Sequence, residues 1–188
     1  MFPPRPTHIL HTLLGEVIRQ GDTVIDATAG NGHDTVFLAE AVGPDGRVIA
    51  VDIQEKAIQS TADRLHDAGL RDRVDLRQCS HAKLRELTPD GSIAAIVFNL
   101  GYLPGADHAV ITEPETTVAA LTASACLLKP DGVLAVICYP GHAGGDSEAK
   151  AVQEFFQKTV NFRTARYEMI STIKASPFLL IASKTSAG

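Results

Sequence analysis

Asp26, Gly30, Gly32 and Asp52 have the residue types and spacing to hold a nucleoside. The run DATAGNGHDT leaves a β-branched stretch, TVIDAT, and enters a helical pattern, the context in which a glycine turn becomes a ligand site. Gly30 and Gly32 allow positive φ and close approach of the backbone to a ligand. Asp52 closes the next strand-like run, 20 residues after Gly32. A carboxylate there can accept hydrogen bonds from both hydroxyls of a ribose. A G-x-G pair also serves as a purely structural tight turn, so the flanking acids carry the argument.

Asp34 and Thr35 stand where a dinucleotide fingerprint would need its third glycine. A pyrophosphate prefers bare N–H groups, whereas Asp26 beside the turn suits the cationic methionyl end of S-adenosylmethionine. The expected cofactor is therefore S-adenosylmethionine rather than NAD. Thr28, Asn31, His33 and Asp34 line the turn in this reading, Ile53 and Gln54 follow the ribose acid, Ser80 and His81 stand where adenine would lie, and Asn99 completes the cofactor-binding set. Ser80 is equally suited to cap the short helix that follows it.

Asn99 and Tyr102, in FNLGYLPG, leave the fourth strand candidate at the same edge. N-methyltransferases with Asn-Pro-Pro-Tyr at this place use carbonyl groups to accept the hydrogens of the attacking amine and the ring to stack on the base; Asn99-Leu100-Gly101-Tyr102 is that motif with both prolines replaced. A polar loop with a buried tyrosine is the plainer alternative. Asp107, His108 and His142 lie in loops at the same edge, where one of them can take the proton of the amine. Their spacing lacks a zinc pattern, and no metal is expected. His8, His11 and His66 read as helix-surface residues, and Thr116 and Thr117 as capping or packing groups.

Strand-like and helix-like segments alternate from residue 6 onward, which implies a parallel sheet covered by helices on both faces. A helix starts at Pro6 and runs toward Gly21, with Ile9, Leu13 and Val17, joined by Leu10, Leu14 and Ile18, as its apolar face. Strands follow in TVIDAT, GRVIAVDI, RVDLRQC, SIAAIVFNL and GVLAVICY. DTVFLAEAV, QEKAIQSTADRLHDAG, PETTVAALTASACLLK and GDSEAKAVQEFFQKTV are helices. FRTARYEMIS and PFLLIASK have no helix between them and form an antiparallel pair at one end of the sheet. The expected architecture is α/β, a Rossmann-like three-layer sandwich of the class I methyltransferase type. Its seven-stranded sheet is mostly parallel with an antiparallel terminal strand, in one domain over residues 1–188.

The composition, 45% hydrophobic and 21% charged, is that of a globular chain and excludes disordered or fibrous classes. MFPPRPTHIL lacks an apolar signal region, and Cys79, Cys126 and Cys138 have no CxxC spacing, so a reduced cytoplasmic setting is expected. A net charge of −5 argues mildly against nucleic acid. Arg64, Arg71, Arg73, Arg77, Lys83 and Arg85 form a basic stretch that is either a binding surface or a set of solvated element ends.

DATAGNGHDTVFLA, AVDIQ, FNLGYLPGADH, PETTVAAL, GHAGG and PFLLIASK together resemble a family of small bacterial rRNA-methylase-like proteins, over roughly residues 8 to 184. Recognised members of that family methylate the wobble uridine of tRNA, converting 5-aminomethyl-2-thiouridine at position 34 to its methylaminomethyl form. The resemblance implies S-adenosylmethionine as donor, the tRNA anticodon loop as partner and a possible homodimer. It also makes chemical sense of Asn99 and Tyr102, because the nucleophile is an amine on an unpaired base. Members commonly carry a histidine before the glycine of the YPGH turn, where this chain has Pro140. An rRNA base, a small-molecule amine, a non-catalytic nucleotide module and an oxidoreductase remain as alternatives.

Overall fold

The computed structural model describes residues 3–101, 113–141, 144–170 and 175–185. Among these residues, five α-helices, α1 (Pro6–Val17), α2 (His33–Ala41), α3 (Glu55–Asp67), α4 (Pro114–Leu127) and α5 (Gly145–Lys158), accompany seven strands. The strands are β1 (Thr23–Asp26), β2 (Arg47–Asp52), β3 (Val74–Gln78), β4 (Ile93–Asn99), β5 (Leu128–Cys138), β6 (Phe162–Glu168) and β7 (Phe178–Lys184). They form one sheet in the order β3-β2-β1-β4-β5-β7-β6. The first five strands pair in parallel, and β7 runs antiparallel to both β5 and β6. The expected terminal pair is thus present, with the antiparallel strand slotted inside the edge rather than at it.

Successive side chains of a strand point to opposite faces, so the hydrophobic runs feed two cores. Ile25, Ile49, Val51, Ile96, Phe98 and Val136 meet Leu121 of α4 and Val152 of α5. Val24, Val48, Ala50, Val97 and Ile137 meet Leu10 and Leu14 of α1, Leu38 of α2 and Leu65 of α3.

The first helix corrects the sequence reading. It ends at Val17, because Ile18 turns to extended backbone and is buried. Its core face is Leu10 and Leu14, while Leu13 and Val17 are exposed at 36% and 37%. The choice between two apolar stripes on one helix is made by the strands beneath it, not by the helical period.

Parallel pairing sets the carboxyl ends of β1, β2 and β4 side by side. Asp26 pairs with Ala50 and Val97, one strand on either side. The chain leaves β1 for β2 on one side and returns to β4 on the other, so a crevice opens at this switch point, where ligands of such sheets bind.

Candidate functional site

The glycine turn is held from within and from behind. Gly30 and Gly32 have φ of 54° and 79°, as the sequence pattern requires. A Cβ on Gly32 would lie 2.9 Å from the Cα of Thr61 in α3, so helix packing by itself demands glycine here. Thr61 Oγ1 donates to the Gly30 carbonyl at 3.1 Å, and Arg64 Nε donates to the Asn31 carbonyl at 2.7 Å. Asp34 and Thr35 sit in the first turn of α2, where a carboxylate is favoured by the helix dipole.

Three carboxyl groups gather around this turn. Asp52 Oδ2 accepts the Gly30 N–H at 3.0 Å and its Oδ1 accepts the Gln54 N–H at 2.9 Å. The lone pairs left on these oxygens are what a ribose diol would meet. Asp26 is fully buried, and accepts the Thr28 N–H at 3.1 Å and the Thr35 hydroxyl at 2.6 Å. Burial, and then the nearby Asp34 charge, push its pKa up to about 7. Near neutral pH it is therefore only partly ionised. Such an acidic cluster repels a pyrophosphate and attracts a cation.

Around this cluster, Ile53 is 50% exposed beside Asp52 and offers an apolar face for a planar ring. Ser80 accepts the Ala82 N–H at 3.2 Å and so caps the short 3-10 helix His81–Glu86. His81 is buried edge-on against Phe98, with ring centroids 5.8 Å apart. Burial pushes its pKa down, keeping the imidazole neutral; one ring nitrogen is satisfied by the Ala27 backbone, while Nε2 has no partner among the described residues. His33 is exposed on the outer side, in a groove lined by Ser60, Asp63 and Arg64, and does not turn toward the crevice acids.

Asn99 ends β4 beside them. Its backbone N–H donates to Thr28 Oγ1 at 2.7 Å, and its Nδ2 donates to Asp34 Oδ2 at 3.0 Å. Tyr139, just past β5, hydrogen-bonds the Asn99 side chain, while burial and then the Asp34 charge raise its pKa. Tyr102, Asp107, His108 and His142 lie outside the described residues.

One sequence reading changes here, and one left open is narrowed. His11 is not a free surface residue: Nε2 lies 2.6 Å from Asp34 Oδ1, and its ring stacks on Phe37 at 4.1 Å. No local signal marks it, because its partner is 23 residues away. The basic stretch is largely spent within the chain: Arg71 and Arg73 bond backbone carbonyls, Arg77 pairs with Asp75 and Arg85 with Asp90. Thr117, buried, donates to Glu148 Oε1 at 2.7 Å, so its role is packing between α4 and α5. Among the described residues no three His, Cys, Asp or Glu side chains come together as a metal site, and no helix is long and apolar enough to cross a membrane.

The family model described as putative rRNA methylase matches residues 48–183. A model for protein-L-isoaspartate O-methyltransferase matches residues 6–85. A tRNA (mnm5s2U34)-methyltransferase of Arabidopsis thaliana is 41% identical over 160 residues, which are 80% of this chain and 58% of that protein. The chain thus spans little more than half of that curated relative. The structure of a putative rRNA-methylase from Clostridium thermocellum superposes with a TM-score of 0.94 at 38% identity, covering 98% of this chain and all (100%) of that one. A putative methyltransferase from Streptococcus mutans, in complex with SAH, superposes with a TM-score of 0.86 at 35% identity, covering 96% of this chain and 98% of that one. With its sheet order, its crevice acids and these likenesses, the chain belongs to the putative rRNA methylase family and carries the class I methyltransferase fold.

Proposed function

We propose that this chain is an S-adenosylmethionine-dependent N-methyltransferase that converts 5-aminomethyl-(2-thio)uridine at tRNA wobble position 34 to its methylaminomethyl form. The observation that carries the proposal is Asn99, a carboxamide at the switch-point edge anchored through Nδ2 to Asp34. With the donor end held, Oδ1 is the acceptor that an incoming amine N–H meets. Neutral amine orientation and exclusion of water are the requirements of an in-line displacement at a methyl carbon.

The cofactor supplies the electrophilic methyl group. Asp52 binds its ribose, Ile53 and Gln54 flank that sugar, and Ser80 and His81 border the adenine. Thr28, Asn31 and the glycines form the turn under the methionyl end, and His33 follows it with its ring on the outer side. Asp26 and Asp34 balance the positive charge there. Tyr102 stacks on the target base, and Asp107, His108 or His142 accepts the proton that the methylated nitrogen releases. The Arabidopsis relative's name supports the wobble uridine as target.

The test is incubation of the protein with labelled S-adenosylmethionine and tRNA from a strain lacking the modification, followed by nucleoside mass spectrometry. The expected result is methylaminomethyl-uridine at position 34; its absence removes the substrate. A second reading, an rRNA base as acceptor, is favoured by the family description and tolerated by the net charge of −5. Competition between bulk rRNA and tRNA separates the two.

A further inference from the structure

We infer that His11, on the first helix, is a positioning residue of the transfer reaction, acting through Asp34 to fix the Asn99 carboxamide. This inference rests on the methyl-transfer reading above.

Asp34 divides its carboxylate between two partners. Oδ1 faces His11 Nε2 at 2.6 Å and Oδ2 accepts Asn99 Nδ2 at 3.0 Å. The His11 ring is in turn fixed by face-to-face stacking on Phe37, one helical turn along α2 from Asp34, with planes only 3° apart. A carboxylate can rotate about its terminal torsion, which is soft. Held at both oxygens, it cannot turn without losing a bond.

The consequence reaches Asn99. A carboxamide presents either its donor or its acceptor end to a given site, and the two have the same shape. A carboxylate accepts only, so Asp34 selects the rotamer with Nδ2 inward and leaves Oδ1 as the acceptor. Tyr139 also bonds Asn99, but a hydroxyl donates or accepts and cannot choose between the two rotamers. The choice therefore depends on Asp34, and the aim of Asp34 depends on His11.

Three variants separate the hydrogen bond from the ring. His11→Phe keeps the stack on Phe37 and loses the bond. His11→Asn loses both ring and reach, and serves if the Phe variant misfolds. His11→Gln places an amide nitrogen close to where Nε2 stood. Turnover on wobble-unmodified tRNA should fall about tenfold in His11→Phe and His11→Asn, less than the hundredfold that a misplaced reacting group can cost. It should return to within about threefold of the parent in His11→Gln, with S-adenosylhomocysteine affinity unchanged throughout. Full turnover in His11→Phe, or equal loss in all three variants, overturns the inference.

A second readout needs no substrate. In protein labelled at asparagine side chains, the Asn99 amide resonances, identified by their disappearance in Asn99→Ala, should shift in His11→Phe and stay in place in His11→Gln. Unmoved resonances in His11→Phe also overturn it. Should the parent protein methylate no tRNA, the wobble-uridine reading fails by itself, and these resonances still decide whether His11 aims Asn99.

Discussion

The two halves of the crevice are built by different kinds of contact. On the β1–β2 side, Asp26 and Asp52 each accept an N–H from a residue two positions on, Thr28 and Gln54. On the β4–β5 side, the polar groups are joined across the chain: His11 to Asp34, Asn99 to Asp34 and Asn99 to Thr28, separated by 23, 65 and 71 residues. The first half combines these local turns with contacts from the neighbouring β2 and α3, Gly30 to Asp52, Thr61 to Gly30 and Arg64 to Asn31. The second also needs α1 and β4 docked against them. The cofactor half should therefore tolerate loss of the reaction half, and not the reverse.

Asn99→Ala is the sharpest way to break this contrast. Its turnover should fall by about 100-fold, the cost of misplacing a reacting group, while S-adenosylhomocysteine affinity by calorimetry stays within about twofold. Equal losses would place Asn99 in the cofactor half. Gly32→Ala should destabilise the fold by about 1–3 kcal/mol, the range for backbone strain at positive φ, because its Cβ meets the Thr61 backbone. Denaturant unfolding measures this, and an unchanged midpoint would mean that the turn and α3 separate easily.

Asp52→Ala should weaken cofactor binding by about 1–3 kcal/mol, the value of a hydrogen bond to a charged group. It also frees the Gly30 N–H, so the loss should appear with S-adenosylhomocysteine as with the sulfonium donor. Asp26 distinguishes the two. Its pKa of about 7 is raised above the ordinary 3.8, so the folded chain binds this proton more tightly than the unfolded one. On this account stability is greatest below the unfolded value and declines as pH rises through about 7. A cation bound nearby favours the carboxylate, so the sulfonium donor should release a proton near neutral pH and the uncharged thioether product should release less. Calorimetry in buffers of different ionisation enthalpy reads this, and Asp26→Asn should abolish the difference. The smallest effect is expected at Arg85, whose guanidinium is paired with Asp90 on the surface: Arg85→Ala should leave melting temperature and tRNA methylation unchanged. A clear loss of tRNA binding would return the basic stretch to the substrate side.

Much of the fold was legible because it rests on short-range physics. Alternation of β-branched runs with amphipathic stretches reads directly as a parallel α/β sheet, and the missing helix between Phe162 and Lys184 as an antiparallel pair. The Ser80 cap is likewise decided within a few residues of itself, whereas the glycine turn and Asp52 show in the sequence as a pattern but are held by contacts with residues 22 to 33 positions away. The stripe of α1 that faces the core was not, since Leu10 and Leu14 compete with Ile9, Leu13 and Val17 at equal helical spacing.

By itself, the sequence determined where the chain turns, which strand ends carry acids and that the crevice prefers a cation to a pyrophosphate. Tertiary structure alone decided how each polar group is buried and partnered. Burial withdraws much of the charge from Asp26, docking of α1 brings His11 to Asp34, and strand register brings Asn99 to both Thr28 and Asp34. The physical reason is range. Turn and strand preferences act over neighbouring residues, whereas desolvation and side-chain pairing depend on whatever the rest of the fold brings within about 3 Å.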